Sequence, residues 1–213
     1  MRSRRRLLEK SRLYVLIDRN RVKGPVLNIA RKLAKSGVGI IQLRDKISSS
    51  KEILKEALLI SGLLKGTRTL FIVNDYPDIA KVSKSDGLHI GQLDIPVKEA
   101  RKIVGRDKII GVSCMNLKQA QKAQRDGADY IGVGPLFKTK TKSNARPIGL
   151  KSLKEITRRV RLPIFAIGNI NQDCLGEVSA CGIKRIAVCQ AVLKAKDISL
   201  AAKLLSTKLN RIK

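Results

Sequence analysis

The sequence predicts a single-domain (β/α)8 TIM barrel with parallel strands, and three observations carry that expectation. Eight short apolar or β-branched runs recur at intervals of about 25 residues, one βα unit each. Most are apolar at nearly every position, as strands are when a barrel interior covers one face and helices cover the other. The segments between them have helical periodicity. A chain of 213 residues lies near the short limit for this fold. A doubly wound open sheet is the runner-up, because strand patterning does not reveal closure.

The expected strands cover 13–18, 39–44, 69–75, 87–91, 109–114, 130–134, 163–169 and 185–190. Between the first two, residues 25–36 place Val26, Ile29, Ala30, Leu33 and Ala34 on one helical face, and residues 117–127 do the same with Leu117, Ala120 and Ala123. No Pro- or Ser-rich linker interrupts the alternation, so residues 13–213 are expected to be one catalytic barrel. Residues 1–12 read as a basic extension and an exposed tail. The segment 135–147, with Lys138, Lys140, Lys142 and Arg146, is too long and polar for a minimal connection, which marks a working loop or a mobile lid.

Composition narrows the class of protein. Hydrophobic residues make up 43% and no apolar run is long enough to span a membrane. A formal net charge of +28 attracts anions, whether nucleic acid, acidic lipid or small polyphosphates. With no Trp, three Tyr and three Phe, material for base-stacking platforms is scarce. The plain reading of the charge is a very basic solvated surface. Arg2, Arg4, Arg5 and Arg6 resemble the start of a secretory signal, but the apolar stretch from Leu13 stops at Asp18, so a cytoplasmic protein is expected. Cys114, Cys174, Cys181 and Cys189 form no CxxC pair and lie far from the lone His89, which argues against zinc and for small buried hydrophobes. His89 itself, inside an apolar strand, reads as a buried structural histidine.

Polar residues cluster at the C-terminal ends of these strands, where barrel enzymes assemble their sites. Gln42, Arg44 and Lys46 alternate at the end of the second strand, so period two directs Gln42 and Arg44 to one face as an anion clamp. A strand-end ion pair is the plainer alternative for Arg44. Asn74 and Asp75 end the third strand, Asp94 follows the fourth and Ser113 ends the fifth. Asp75 and Asp94 are two carboxylates that, with water and phosphate oxygens, suit Mg2+, although either alone is as readily a helix cap. Gly168-Asn169 and Cys189-Gln190 end the last two strands, where barrels commonly bind phosphate through backbone amides. Two anion sites at one mouth, one with a metal, point to a reaction joining or exchanging phosphorylated small molecules.

These residues also form an ordered set of motifs: Gln42-Leu43-Arg44-Asp45-Lys46, Asn74-Asp75, Asp86-Gly87-Leu88-His89-Ile90-Gly91-Gln92 running to Asp94, and Gly111-Val112-Ser113. They continue through Gly127-Ala128-Asp129-Tyr130-Ile131-Gly132-Val133-Gly134-Pro135, Thr139-Lys140-Thr141-Lys142 and Ala166-Ile167-Gly168. Across about residues 13 to 193 the set resembles the thiamine phosphate synthase family. The resemblance implies an Mg2+-dependent transferase that joins hydroxymethylpyrimidine diphosphate to a thiazole phosphate, or its carboxylate form, releasing diphosphate and forming thiamine phosphate. It implies that Gln42, Arg44, Lys46, Asn74 and Lys142 hold the pyrimidine diphosphate with Ser113 beside them. It further implies that Asp75 and Asp94 bind Mg2+, and that Thr139, Thr141 and the amides near Gly168, Asn169, Cys189 and Gln190 hold the thiazole phosphate. Arg44, Lys46, Ser113 and Lys142 would then do the catalytic work by stabilising the departing diphosphate, which needs no protein nucleophile.

Four positions depart from the family pattern: Met115 where many members have His, Asn169 for a second Gly, Leu93 for Glu, and Gln190 for a small residue. Asn169 has the largest expected consequence, through a side chain near the phosphate and a backbone asked for a left-handed conformation. Two other functional classes stay open at this point, a thiazole tautomerase-like barrel and a basic nucleic-acid-binding protein. The expected partners are the two small-molecule substrates, with no specific nucleic acid and no membrane.

Overall fold

A computed structural model of the chain describes residues 2–22, 24–138 and 146–212. Its eight strands are β1 (Leu13–Asp18), β2 (Ile40–Arg44), β3 (Leu70–Asn74), β4 (Gly87–Ile90), β5 (Ile109–Cys114), β6 (Tyr130–Val133), β7 (Ile164–Ile167) and β8 (Ile186–Val188). They pair in parallel in chain order, and β8 pairs back onto β1, which closes the barrel and excludes the open sheet. The outer layer comprises α2 (Val26–Lys35), α3 (Ser50–Leu64), α4 (Pro77–Val82), α5 (Val97–Val104), α6 (Leu117–Arg125), α7 (Gly149–Arg159) and α8 (Leu175–Ser179), with α9 (Gln190–Leu193) and α10 (Ile198–Arg211) after β8. Before the barrel comes α1 (Arg2–Lys10).

Strand parity sorts the core into two layers. The β1–β2 register sets Tyr14 opposite Ile40, Leu16 opposite Gln42 and Asp18 opposite Arg44, so these six share the inner face. Tyr14, Leu16, Ile40, Leu70, Ile72, Ile109, Tyr130 and Phe165 fill the barrel interior, while Val15, Ile17, Ile41, Leu43, Phe71 and Val73 pack between sheet and helices. Each such aliphatic or aromatic side chain removed from water contributes roughly 1.5–3 kcal/mol. Gly111 on β5 is required by this packing, because a Cβ there would collide with the ring and hydroxyl of Tyr130.

The helices follow their local chemistry. Val26, Ile29, Ala30 and Leu33 are the buried face of α2. Ser49 and Glu52 form a reciprocal capping box at the start of α3, and Asp197 accepts from the Ser199 and Leu200 amides at the start of α10.

Two expectations change. The described part of the expected tail, residues 2–12, is docked: α1 folds under the barrel with Leu8 only 2% exposed within the interior cluster. Arg4 donates to Asp86 at 2.7 Å and Arg5 to Asp129 at 3.1 Å, so part of the basic charge anchors this helix. The strands also stop short of their expected ends: Asp75, Gly91, Gly134, Asn169 and Gln190 lie beyond the ladders, where the chain turns into loops. Within 135–147, residues 139–145 are outside the described residues. The flanks are tied to the sheet by Leu136 N–H to Ile167 C=O at 2.9 Å and Ile148 N–H to Pro135 C=O at 2.9 Å.

Candidate active site

A cavity of about 400 Å³ opens at the C-terminal end of the barrel, within the size range of small-molecule sites. Its lining includes Gln42, Arg44, Lys46, Asn74, Asp75, Asp94, Ser113, Gly168, Asn169, Cys189 and Gln190. Every expected site residue that is described therefore reaches one cavity. Thr139, Thr141 and Lys142 lie outside the described residues.

Parity places most of these side chains. Arg44, Asn74 and Ser113 continue the inward-facing set of their strands, as Cys189 continues that of Ala187. Asp75 follows Asn74, so alternation alone would send it outward. Its φ of 66° breaks the alternation, and its N–H donates to His89 C=O at 2.8 Å. A non-glycine residue held in the left-handed region is strained, and such residues concentrate at functional sites. Asn169 also adopts the left-handed conformation, with φ 53° and an exposed side chain, so its backbone does not resist that geometry.

The charges are organised in pairs. Arg44 donates to Asp18 at 2.8 Å, and the Asp18 side chain is only 2% exposed. The strand-end ion pair is thus present, and it fixes a guanidinium that still lines the cavity. Lys46 pairs with Asp75. Burial pushes the Asp75 carboxyl above the usual range, Lys46 opposes that rise, and the neighbouring Asp94 adds to it. Asp94 accepts from Gly91 N–H at 2.6 Å. Asp45 turns its carboxylate back to accept from the Ile47 and Ser48 amides at 2.9 and 3.0 Å, shaping the loop that carries Lys46. Burial raises its pKa, but these donors outweigh that effect and hold it below the usual carboxylate value.

Asp75 and Asp94 are hard oxygen donors within interaction range of each other, a donor set that fits Mg2+, which binds through one or two carboxylates and completes its shell with water and phosphate oxygens. Among the described residues there is no group of three or more potential metal ligands. Cys189 faces the same cavity, but burial, with a smaller contribution from Asp18, pushes its thiol up to about 11. It is therefore a neutral lining group at physiological pH and not a thiolate nucleophile.

Several participants were not singled out from the sequence. Asp18 read as the end of an apolar run. Tyr14 entered only as part of the first apolar strand, and Tyr130 only within a motif of the sixth. His89, expected to be purely structural, is buried at 9% exposure, yet it lines the cavity and its ring nitrogens contact Tyr130 and Ser113. The available signal was parity, since Tyr14 and Asp18 share a face with each other and with Gln42 and Arg44 across the register.

A family model described as thiamine monophosphate synthase matches residues 13–192. The chain belongs to this family. It is 40% identical over 190 residues to the thiamine-phosphate synthase of Methanobrevibacter smithii, covering 89% of this chain and 91% of that one. The Coprothermobacter proteolyticus thiamine-phosphate synthase is 41% identical over 206 residues, 96% of this chain and 98% of that one. Some relatives are longer: against the 42% identical Prochlorococcus marinus protein the chain spans 54% of the relative's length. Among solved structures, the thiamine phosphate pyrophosphorylase from Pyrococcus furiosus superposes with a TM-score of 0.89 at 34% identity, covering 97% of this chain and 98% of that one. A Streptococcus mutans KGPDC at 16% identity and TM-score 0.68 shares the fold alone.

Proposed function

We propose that this chain condenses hydroxymethylpyrimidine diphosphate with thiazole phosphate to give thiamine phosphate and diphosphate. The observation that carries the reading is the convergence on one cavity of the Arg44 and Lys46 cations, the Asp75 and Asp94 carboxylates, and a buried amide at Gln42. Family membership supplies the substrate identities.

The chemistry follows from these groups. The bond from the pyrimidine methylene carbon to the diphosphate oxygen breaks, with the electron pair leaving on diphosphate. The resulting ring-stabilised cation is captured by the lone pair of the thiazole nitrogen, forming the carbon–nitrogen bond. Arg44, held by Asp18, and Lys46 meet the developing charge on the leaving oxygens from fixed positions, so little reorganisation is needed at the moment of cleavage. Asn74 and Ser113 add neutral hydrogen bonds to the same anion, and Lys142 adds a further charge. Gln42 is 2% exposed and its Oε1 has no hydrogen-bond partner among the described residues, which suits an amino donor on the pyrimidine. Asp75 and Asp94 would hold Mg2+, which when bound neutralises diphosphate charge. Thr139, Thr141 and the backbone near Gly168, Asn169, Cys189 and Gln190 hold the thiazole phosphate.

The tautomerase alternative needs a proton shuttle after β5. Met115 occupies that position, and its thioether carries no titratable proton. The reading extends to a cytoplasmic enzyme whose +28 charge steers anionic substrates rather than a specific nucleic acid. No described helix is long and apolar enough to cross a membrane. Incubating the protein with both substrates and Mg2+ tests the proposal: thiamine phosphate should accumulate, and its absence with folded protein would overturn it.

A further inference from the structure

Five side chains from five strands form one unbroken hydrogen-bond chain across the barrel interior. Gln42 Nε2 donates to the Tyr14 hydroxyl at 2.5 Å, and the Tyr14 and Tyr130 hydroxyls are 2.9 Å apart. Tyr130 OH lies 3.0 Å from His89 Nδ1, and His89 Nε2 lies 2.9 Å from Ser113 Oγ. Tyr14, Tyr130, Gln42 and His89 are buried, so each of these groups depends on its neighbours for its polar partners.

Counting hydrogens sets the direction of the chain. An amide NH2 only donates, so the Tyr14 oxygen accepts and its single hydrogen goes to Tyr130. The Tyr130 oxygen is then occupied as an acceptor, and its own hydrogen goes to His89 Nδ1. A ring nitrogen that accepts carries no proton, so the imidazole bears its hydrogen on Nε2 and donates it to Ser113 Oγ. The hydroxyl hydrogen of Ser113 is left over, and Ser113 lines the cavity. Burial raises the pKa of both phenols, so both keep the hydrogens this count requires.

Turning the Gln42 amide over reverses every link. Tyr14 would then donate to Oε1, Nδ1 would carry the imidazole hydrogen, and Ser113 would spend its hydrogen on His89 Nε2. The serine would offer the cavity only lone pairs, which repel a phosphate oxygen. The orientation of one amide at the pyrimidine end thus selects a donor or an acceptor at the diphosphate end.

We propose that Tyr14, Tyr130 and His89 are positioning residues that couple the amino group of the pyrimidine, bound at Gln42 Oε1, to the Ser113 hydroxyl, which then donates to the departing diphosphate. The inference rests on the proposed condensation for its ligand and on the hydrogen-bond geometry for its direction. It also implies selectivity: a pyrimidine diphosphate with a carbonyl in place of the amino group favours the turned amide and is a poor substrate, even though its diphosphate is unchanged.

Two measurements test it. The chain has a single histidine, so nitrogen NMR of isotopically labelled protein reads one imidazole without overlap. The wild-type protein should show a proton on Nε2 and none on Nδ1, both free and with hydroxymethylpyrimidine diphosphate; a proton on Nδ1 in both states would overturn the relay whether or not the protein makes thiamine phosphate. Second, Tyr130→Phe removes one oxygen from the middle of the chain. Turnover should fall about tenfold, with KM for thiazole phosphate unchanged and the His89 tautomer redistributed, about what one lost hydrogen bond gives. Wild-type turnover in a folded Tyr130→Phe protein would overturn the coupling. Should that variant fail to fold, Tyr14→Phe cuts the chain one link earlier and must give the same kinetic signature. Failure of the wild-type protein to form thiamine phosphate would count against the condensation, leaving the tautomer measurement to judge the relay.

Discussion

Replacing Arg44 with alanine removes two things at once, a cation from the cavity and the partner of a buried carboxylate, and the two losses are separable. Asp18 has a side chain 2% exposed and, among the described residues, would keep its hydrogen bond from Asn20 N–H at 3.1 Å. Orphaning a fully buried partner costs about 3–5 kcal/mol, but water entering through the adjoining cavity lowers this to about 2–3 kcal/mol. For a domain of this size that is a fall in Tm of roughly 4–12 °C. Separately, loss of a charge-assisted hydrogen bond to the leaving diphosphate costs about 1.5–3 kcal/mol of transition-state stabilisation, a drop in kcat/KM of about 10- to 150-fold. Adding Asp18→Asn to Arg44→Ala should recover much of the lost stability, since no charge is left unpaired, and should recover none of the activity. Thermal melts followed by circular dichroism and a thiamine phosphate formation assay read the two effects independently. Recovery of activity along with stability in the double variant would refute the reasoning, because Arg44 would then act only by keeping the barrel mouth folded.

The other expectations are narrower. Asp75→Asn or Asp94→Asn should weaken the dependence on Mg2+ and lower turnover at least about tenfold, as loss of a metal ligand does; an unchanged Mg2+ titration in both variants would remove the metal assignment. Burial pushes the thiols of Cys189 and Cys114 up to about 11 and 12 from an ordinary value near 9. Their stabilising contribution is complete below about pH 9 and is lost as the pH rises toward 11 and 12, so denaturant midpoints should decline over that window and alkylation of Cys189 should be slow at neutral pH. Replacing Cys189 with alanine should flatten the first part of the decline. Binding to double-stranded DNA, if detectable at low salt, should fade steeply as salt rises and show no sequence preference; a tight selective complex at physiological salt would mean the charge has a nucleic-acid role. Thiazole carboxylate incubated without the pyrimidine should not be isomerised on the NMR timescale of an enzymatic assay, given Met115 at the rim; catalysed isomerisation surviving Arg44→Ala would reopen the tautomerase reading.

Much of the barrel and its mouth was legible because both are written in short-range pattern. A parallel strand covered on both faces must be apolar along its length, so a polar residue at its C-terminal end stands out: Arg44 after Leu43, Asn74 after Val73 and Ser113 after Val112 all announce themselves this way. Closure was not legible, because the β8–β1 pairing of Tyr14 with Ala187 joins the two ends of the chain and leaves no local trace. Helix α1 escaped for a related reason. Its arginines dominate its composition, and what docks it, the burial of Leu8 beneath the barrel and the pairing of Arg4 and Arg5 with Asp86 and Asp129, involves residues far along the chain.

The residues missed at the site share a physical property: their chemistry depends on partners far away in sequence. Tyr14 and Tyr130 are separated by 116 positions and His89 lies 24 positions from its partner Ser113, and Tyr14, Tyr130 and His89 each look alone like a well-placed core side chain. Yet a buried hydroxyl or imidazole cannot be left without partners at a cost below about 1–3 kcal/mol per group. Four such groups on inward-facing positions of a barrel therefore have to find one another, and here they meet beneath the cavity, where Gly111 leaves space for the Tyr130 ring. Parity could have pointed there in advance: once Gln42 and Arg44 are taken as inward, the β1 face holding Tyr14 and Asp18 must be inward too, and a tyrosine two layers below a polar mouth needs a polar neighbour. The same logic explains why the strand pattern alone does not account for Asp75 lining the cavity. Period two turns its side chain away from the barrel, and only the left-handed φ of 66°, which no sequence pattern announces for an aspartate, brings it back to face Lys46 and Asp94.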